Sequence, residues 1–241
     1  AALFGAGGAG VLFRQASHKH PKSLGIPAAG VIPGDISQVG QRVHPFSFLR
    51  PPVTSGYTPF TRYTEIEEES MEAMKTVAEL MEVSAITAPK AAGQDYIVTK
   101  TIYGEDIARL AEDMEAFGEE SGKKNFDRDG ANVRDSGAVV LVGMKDAAVP
   151  GLNCAACGHP VCLEINSGEQ NGEFLGPQCA IRLLDMGIAI GSAVKTAAML
   201  NVDNRIMYRI GVSARRMGLI DADFVMGVPL SVTGKSIYYD R

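Results

Sequence analysis

The sequence predicts an α+β (or α/β) domain over residues 64–241, a small sheet of short strands packed between helices and interrupted by a four-cysteine loop. Three observations predict it. Apolar residues recur at helical spacing in several segments, and short runs of β-formers separate those segments. All four cysteines of the chain fall in one stretch, Cys154, Cys157, Cys162 and Cys179. The domain is preceded by a Pro- and Gly-rich, basic arm, residues 1–63, with no sustained apolar period.

The elements follow in order. Thr64 and Glu67 frame a T-x-x-E capping box. After it Met74, Val77, Ala78, Met81 and Ala85 share one helical face, with Glu68, Glu69, Glu72, Glu79 and Glu82 on others. The leading acids suit the positive end of the helix dipole. Pro89 and Gly93 stop this helix, and a strand follows over 96–102. Gly104 opens a second helix, to about 118, with acids in its first turn. Residues 125–136 are polar and read as a loop, whereas 138–142 form an apolar run short enough for a buried strand. Beyond the cysteines, 180–200 is apolar nearly all round, which predicts a buried central helix. Residues 203–218 predict an amphipathic basic helix and 224–228 a last short strand.

Charge divides the chain unevenly. The arm carries Arg14, Lys19, Lys22, Arg42, Arg50 and Arg62 against Asp35 alone, and seven of the twelve prolines. The whole chain has a formal charge of -5 and a pI near 5.4, which argues against nucleic acid as the main partner. No stretch reaches the roughly 18–20 apolar residues of a spanning helix. A basic, acid-poor N-terminal region and a first residue other than Met match a processed organellar protein. The expectation is an arm that contacts the protein subunits of a larger complex; a tail with no partner is the alternative.

The cysteine spacing C-x2-C-x4-C-x16-C allows three chemistries. A disulfide pair needs an oxidising compartment, and C-x2-C favours redox or metal chemistry. Structural zinc usually takes two C-x2-4-C knuckles, and only one is present. A [4Fe–4S] cluster asks one thiolate for each of its irons; a tight loop can serve three, and a distant turn the fourth. Gly158 and Pro160 shape the loop, Gly176 and Pro177 lead to Cys179, and the small Ala155 and Ala156 let the backbone come close. The cluster is the favoured reading, with Cys154, Cys157, Cys162 and Cys179 as both metal ligands and cofactor-binding residues.

The run Cys154-Ala-Ala-Cys157-Gly-His-Pro-Val-Cys162 with Cys179 resembles the [4Fe–4S] module of the Rnf complex B subunit and of corrinoid iron–sulfur proteins. Residues 64–241 resemble a prokaryotic family of unknown function described as containing a ferredoxin domain. The stretches that carry this are Ala78-Glu-Leu-Met, Thr87-Ala-Pro-Lys90, Gly151-Leu-Asn-Cys154, the run from Leu184 to Lys195, Asn201-Val-Asp-Asn-Arg205 and Gly227-Val-Pro-Leu230. The resemblance implies an iron–sulfur, metal-binding protein of electron transport with a redox protein partner. Joined to the arm, it leads to the expectation of an accessory subunit of a respiratory complex in an organelle, the mitochondrion or alternatively a plastid. In a variant of this reading the cluster only staples the fold. The order helix, Ala-Pro turn, strand, helix and late apolar helix also looks faintly like nitroreductases, which makes FMN a second candidate cofactor and a flavin oxidoreductase a third reading.

Other patterns carry less. Gly5-x-Gly7-x-x-Gly10 lacks the preceding strand of a dinucleotide fingerprint. Gly234-Lys235-Ser236 has Pro229 where a P-loop needs glycine. Asn125-x-Asp127-x-Asp129-Gly130 begins like a calcium loop but has Ser136 at its twelfth position, so a solvated turn is expected. His159 reads as an exposed residue beside the ligands. Arg205, Arg209, Arg215 and Arg216 read as a solvated helix face, with an anion or flavin phosphate site as the alternative. Gly187-x-x-x-Gly191 reads as tight helix packing.

Overall fold

The computed structural model describes residues 59–165 and 169–239, with side chains from Glu69 onward. Residues 1–58 lie outside the described residues, and with them most of the arm, its partner contacts and the Gly5-x-Gly7-x-x-Gly10 pattern.

Helix α1 (Pro59–Thr87) starts ahead of the capping box, on a proline, whose fixed φ suits a first helical turn. Its face of Met74, Val77, Ala78, Met81, Ala85 and Ala88 is buried. It ends where Lys90 reaches back, its Nζ donating to the carbonyls of Ala85 (2.9 Å) and Ile86. Strand β1 (Ile97–Ile102) follows, then α2 (Glu105–Ser121), which buries Ile107, Leu110, Ala111 and Met114 at the spacing of one helical stripe. Gly122, at a left-handed φ of 68°, closes it.

The polar stretch expected to be a loop is largely a helix, α3 (Phe126–Arg134). Its polarity misleads because Asp129 points inward. Asp129 accepts hydrogen bonds from Arg128 (2.8 and 2.6 Å) and from Arg209 Nη1 (2.8 Å), and Phe126 and Val133 are buried beside it. The calcium-like pattern is thus spent on an internal ion pair rather than a solvated turn.

Strand β2 (Ala138–Met144) leads into the cysteine region, which includes the two-residue strands β3 (Gln170–Asn171) and β4 (Leu175–Gly176). Then come α4 (Ala180–Met199), β5 (Asp203–Asn204), α5 (Tyr208–Arg216) and β6 (Phe224–Ser231). The main sheet runs β1-β2-β6-β5 with every pairing antiparallel, so of the two fold classes expected the chain takes α+β.

Strand β2 is buried along its whole length and feeds two cores. Ala138, Val140, Val142 and Met144 meet α1 and α4 on one face; Val139 and Leu141 meet α2, α3 and α5 on the other. Each large apolar side chain buried this way contributes about 1.5–3 kcal/mol. Helix α5 begins at Tyr208 rather than 203, because Asp203 and Asn204 pair with Ser231 and Leu230 as β5.

Helix α4 departs from the all-round burial expected of it. One face is buried, but Leu184 is 60% and Met199 71% exposed. Gly187 and Gly191 have no atom within 4 Å of where a Cβ would stand, so among the described residues they make no tight packing. Close approach occurs instead between α5 and β6. A Cβ on Gly211 would lie 1.8 Å from the carbonyl oxygen of Val225, and one on Gly227 would lie 1.9 Å from Ile210.

A buried arginine holds the end of the domain that carries the cysteines. Arg182, on the first turn of α4, is 1% exposed. Its Nε donates to the Ala148 carbonyl (2.7 Å), Nη1 to the Ala91 carbonyl (3.0 Å) and to Asp185 Oδ2 (3.1 Å), and Nη2 to Gln94 Oε1 (2.5 Å). The guanidinium lies 4.8 Å from the Tyr96 ring centre. Asp185 Oδ1 accepts the Ala91 N–H (2.8 Å), which closes the network.

Two stability outcomes follow. Gly211→Ala is expected to cost about 3 kcal/mol, because backbone must move, whereas Gly191→Ala should be neutral or gain about 0.5–1 kcal/mol of helix propensity. Arg182→Ala strands a buried carboxylate and three acceptors, and is expected to cost about 3–5 kcal/mol. Urea unfolding midpoints at unchanged slope measure all three; equal midpoints for the two alanine-for-glycine variants would contradict the packing described.

Candidate metal centre

The cysteine region lies at the end of the sheet where β2 leaves and β6 enters. There the Asp223 N–H donates to the Met144 carbonyl (2.8 Å), and the Asp146 N–H to Asp223 Oδ2 (2.9 Å). From Ala148, fixed by Arg182, the chain runs into the loop 151–165. Its backbone turns sharply and often: Gly151, Asn153, Ala155 and Gly158 all have positive φ, at 73°, 49°, 57° and 91°. For the non-glycine residues the left-handed region costs roughly 1–2 kcal/mol, least for Asn. Such strain persists only where neighbouring contacts over-determine it.

Those contacts are found at Asn153. Its N–H donates to Cys162 Sγ (3.2 Å), and its side-chain Oδ1 accepts the Cys162 N–H (2.9 Å). This reciprocal pair closes a ring of chain from 153 to 162 around Cys154 and Cys157. Inside the ring the Gly158 N–H donates to the Ala155 carbonyl (3.0 Å), turning the chain at Cys157. The loop then ends in a short turn, Cys162–Glu164, and Ile165 is buried behind it.

The fourth cysteine comes from a different support. A hairpin, β3–β4, is anchored to the α2/α5 side of the domain. Glu173 accepts from Lys123 Nζ (2.6 Å), Arg215 Nη2 donates to Asn171 Oδ1 (2.9 Å), and Phe174 packs on Phe224 with ring centres 4.3 Å apart. The hydrogen bond to Glu173 raises the pKa of Lys123; burial, and then the Glu173 charge, raises that of the Tyr208 phenol. The chain returns from this hairpin to Cys179, the residue that caps α4, whose carbonyl accepts the Leu183 N–H (3.0 Å). Arg182, three residues on, binds the carbonyl of Ala148 at the root of the loop.

The four thiols are all free, and they grade from the surface inward. Cys154 is exposed, Cys157 half-buried, and Cys162 and Cys179 buried at 6% and 4% exposure. Nothing pins them in disulfide pairs. Among the described residues, no three of the His, Cys, Asp and Glu side chains are gathered into a group that could hold a metal ion. The structure links the loop's root to the start of α4, at Cys179, through Arg182, and among the described residues it does not gather the sulfur atoms into one group. The donor set fits a [4Fe–4S] cluster in kind: four free thiols, one of them already accepting a backbone N–H. Its geometry requires the loop to close.

Other candidates resolve differently from expectation. His159 is half-buried rather than exposed. The arginines do not make one solvated face: Arg216 is exposed, but each of the four is engaged by groups of the domain. Arg205 donates to the Tyr238 carbonyl (3.1 Å), and Arg209 binds Asp129 and the Lys124 carbonyl. Arg215 holds the hairpin, and Arg216 lies over Phe117 near Asp113. Sequence reasoning passed over Asn153, Arg182 and Asp185. A charged pair three residues apart on an otherwise apolar helix is the signal for the last two. An Asn, which tolerates positive φ, directly before the first cysteine is the signal for Asn153.

Comparison with known proteins supplies the rest. Similar solved structures include the FMN-dependent nitroreductase NfnB from Mycobacterium smegmatis in complex with NADPH, at 11% identity, covering 68% of this chain and 78% of that one, with a TM-score of 0.45. Another is a nitroreductase-like family protein from Bacillus cereus, at 13% identity, 67% and 76% coverage and a TM-score of 0.45. A nitroreductase with bound FMN from Desulfitobacterium hafniense gives 13% identity, 68% and 79% coverage and a TM-score of 0.42.

A much nearer relative is an uncharacterized protein of Archaeoglobus fulgidus, 50% identical over 171 residues that cover 70% of this chain and 92% of the relative. An archaeon has no organelles, so the organellar location expected from the basic N-terminal region, mitochondrial or plastid, is corrected: composition near the N-terminus does not outweigh descent. Nothing in the comparisons supports a respiratory complex either. A family model described as "uncharacterized protein containing a ferredoxin domain" matches residues 175–241, which include Cys179 and end the chain after the other three cysteines. At 50% identity to the archaeal protein over 171 residues, 92% of that protein's length, the chain belongs to this family of uncharacterized ferredoxin-domain proteins.

Proposed function

We propose that the chain is an iron–sulfur electron-transfer protein in which Cys154, Cys157, Cys162 and Cys179 hold a [4Fe–4S] cluster. The observation that carries this reading is the set of four free thiols, every cysteine of the chain, three of them in a loop whose root is tied by Arg182 to the start of α4, at Cys179. Membership of a ferredoxin-domain family supports it. When bound, such a cluster supplies one-electron redox chemistry. The chain's own residues do the rest. Arg182 fixes the loop root and the start of α4, Asn153 holds Cys162, and buried Cys162 and Cys179 form the inner side of the site. Exposed Cys154, with Leu152 and the 87% exposed Leu163 nearby in the loop, forms the side open to a redox protein partner.

Anaerobic purification or reconstitution is expected to give about four iron and four acid-labile sulfide per chain, and a low-temperature EPR signal on reduction. Replacing any one of the four cysteines by serine should lower both contents and the signal. One zinc per chain without iron would sink the reading. Flavin released on denaturation, in place of iron and sulfide, would support the FMN alternative.

Relay and staple can also be told apart. Neither apolar core takes a residue from 151–169, so removing the metal by chelation is expected to leave the thermal midpoint within a few degrees of the loaded protein. That corresponds to about 1 kcal/mol or less for a domain of this size. Global unfolding on chelation would favour the staple.

A further inference from the structure

We propose that Asn153 is a positioning residue of the cysteine site. On this inference its carboxamide latches the turn of the loop 153–162 that holds Cys162 in place before any metal arrives, and its backbone N–H tunes Cys162 once metal is bound. The inference rests on the cluster reading above, but it has a consequence in the metal-free protein that does not.

Three observations on one residue carry it. Asn153 stands at φ 49°, a backbone region that few side chains other than Gly, Asn and Asp occupy at low cost. Its Oδ1 takes the Cys162 N–H at 2.9 Å, and its own N–H is given to Cys162 Sγ at 3.2 Å. Neither bond is part of a helix or a strand ladder. Without the carboxamide, the N–H of Cys162, a residue only 6% exposed, loses its acceptor. A second left-handed residue, Ala155 at φ 57°, sits inside the same ring with no side chain able to stabilise it, so the ring closure itself must hold it there.

The chemistry of the donor makes the latch more than a loop tie. A thiolate bound to iron carries negative charge, and an N–H pointed at its sulfur favours the more reduced, more negative state of a cluster. The carboxamide keeps that N–H aimed by holding the two residues in register. The side chain thus acts at one remove, through the backbone of its own residue and that of Cys162.

The variants Asn153→Ala, Asn153→Asp and Asn153→Gly separate the parts. Aspartate keeps an acceptor and the backbone preference; glycine keeps the backbone freedom alone; alanine keeps neither. In the metal-free full-length protein, alkylation of each cysteine is followed by peptide mass spectrometry. Asn153→Ala is expected to raise the labelling rate of Cys162 about fivefold, the worth of one lost hydrogen bond, with Asn153→Asp close to wild type and Asn153→Gly between. In the reconstituted protein, Asn153→Ala should bind iron about 10–100-fold more weakly, as loss of an outer-shell partner does, and any cluster that forms should have a lower reduction potential.

Unchanged Cys162 labelling in Asn153→Ala overturns the latch whatever the metal content. Raised labelling with unaltered iron affinity and potential shows a loop tie only, and overturns the role in the site. A wild-type protein that takes up no iron overturns the cluster reading and the tuning together, while the labelling series still decides whether the latch exists.

Discussion

The single guanidinium of Arg182 is the constraint on which the arrangement of this end of the domain depends. It sits inside, so each of its N–H groups must find an acceptor or cost the domain its desolvation. The acceptors come from the turn after α1, from the segment after β2, and from α4 itself. Lysine could not replace it, because a point charge with three donors on a flexible stem cannot serve four acceptors in one plane while stacking on Tyr96. The network therefore fixes three pieces of chain that are distant in sequence. Two of those pieces bear the cysteines: one leads to Cys154 within six residues, and the other starts at Cys179.

This rigid frame surrounds a loop that is not rigid in the same way. Held by the clasp from Asn153 to Cys162 and by one tight turn at Cys157, the loop has shape but little buried apolar area. Drawing four thiolates to a common point without a cation is opposed by their mutual repulsion, and the inner two are already cut off from water. On the proposed cluster reading, metal binding would supply the energy that draws the sulfur atoms together. A frame that presents both ends of the site and leaves the middle to close suits that sequence of events.

Much of this fold could be read from residue pattern alone, and the failures have physical causes. The buried face of α1, the strand β2 and the stripe of α2 follow from apolar periodicity, which reports burial directly. Helix α3 was hidden because its inward face is an ion pair, Asp129 with Arg209 from α5, and polarity was taken for exposure. The start of α5 was misplaced because Asp203 and Asn204 pair with β6, a contact across the sheet that no local signal announces. Helix α4 was taken as buried all round because hydropathy cannot tell a core face from an exposed apolar one. In the candidate site the cysteine spacing draws the eye to Cys154, Cys157, Cys162 and Cys179. The residues that position them were not legible, since the roles of Arg182 and Asn153 exist only through partners dozens of residues away or through a backbone angle.

The division of labour between core and loop also bears on what a cluster would be for. Strand β2 fills both cores with its own side chains, and α1 to α5 complete them with no contribution from the described residues of 151–169. A centre whose work is to staple a fold is placed where apolar burial is too small to hold the chain, as in very small domains. Here burial on two faces of a sheet is already complete, and the strained, partly exposed loop lies at its end. The loop's left-handed residues, Asn153 and Ala155, lie outside that burial and cost the protein something. A feature that costs stability, sits at one end of a self-sufficient scaffold and opens to solvent at Cys154 has the placement of a working site.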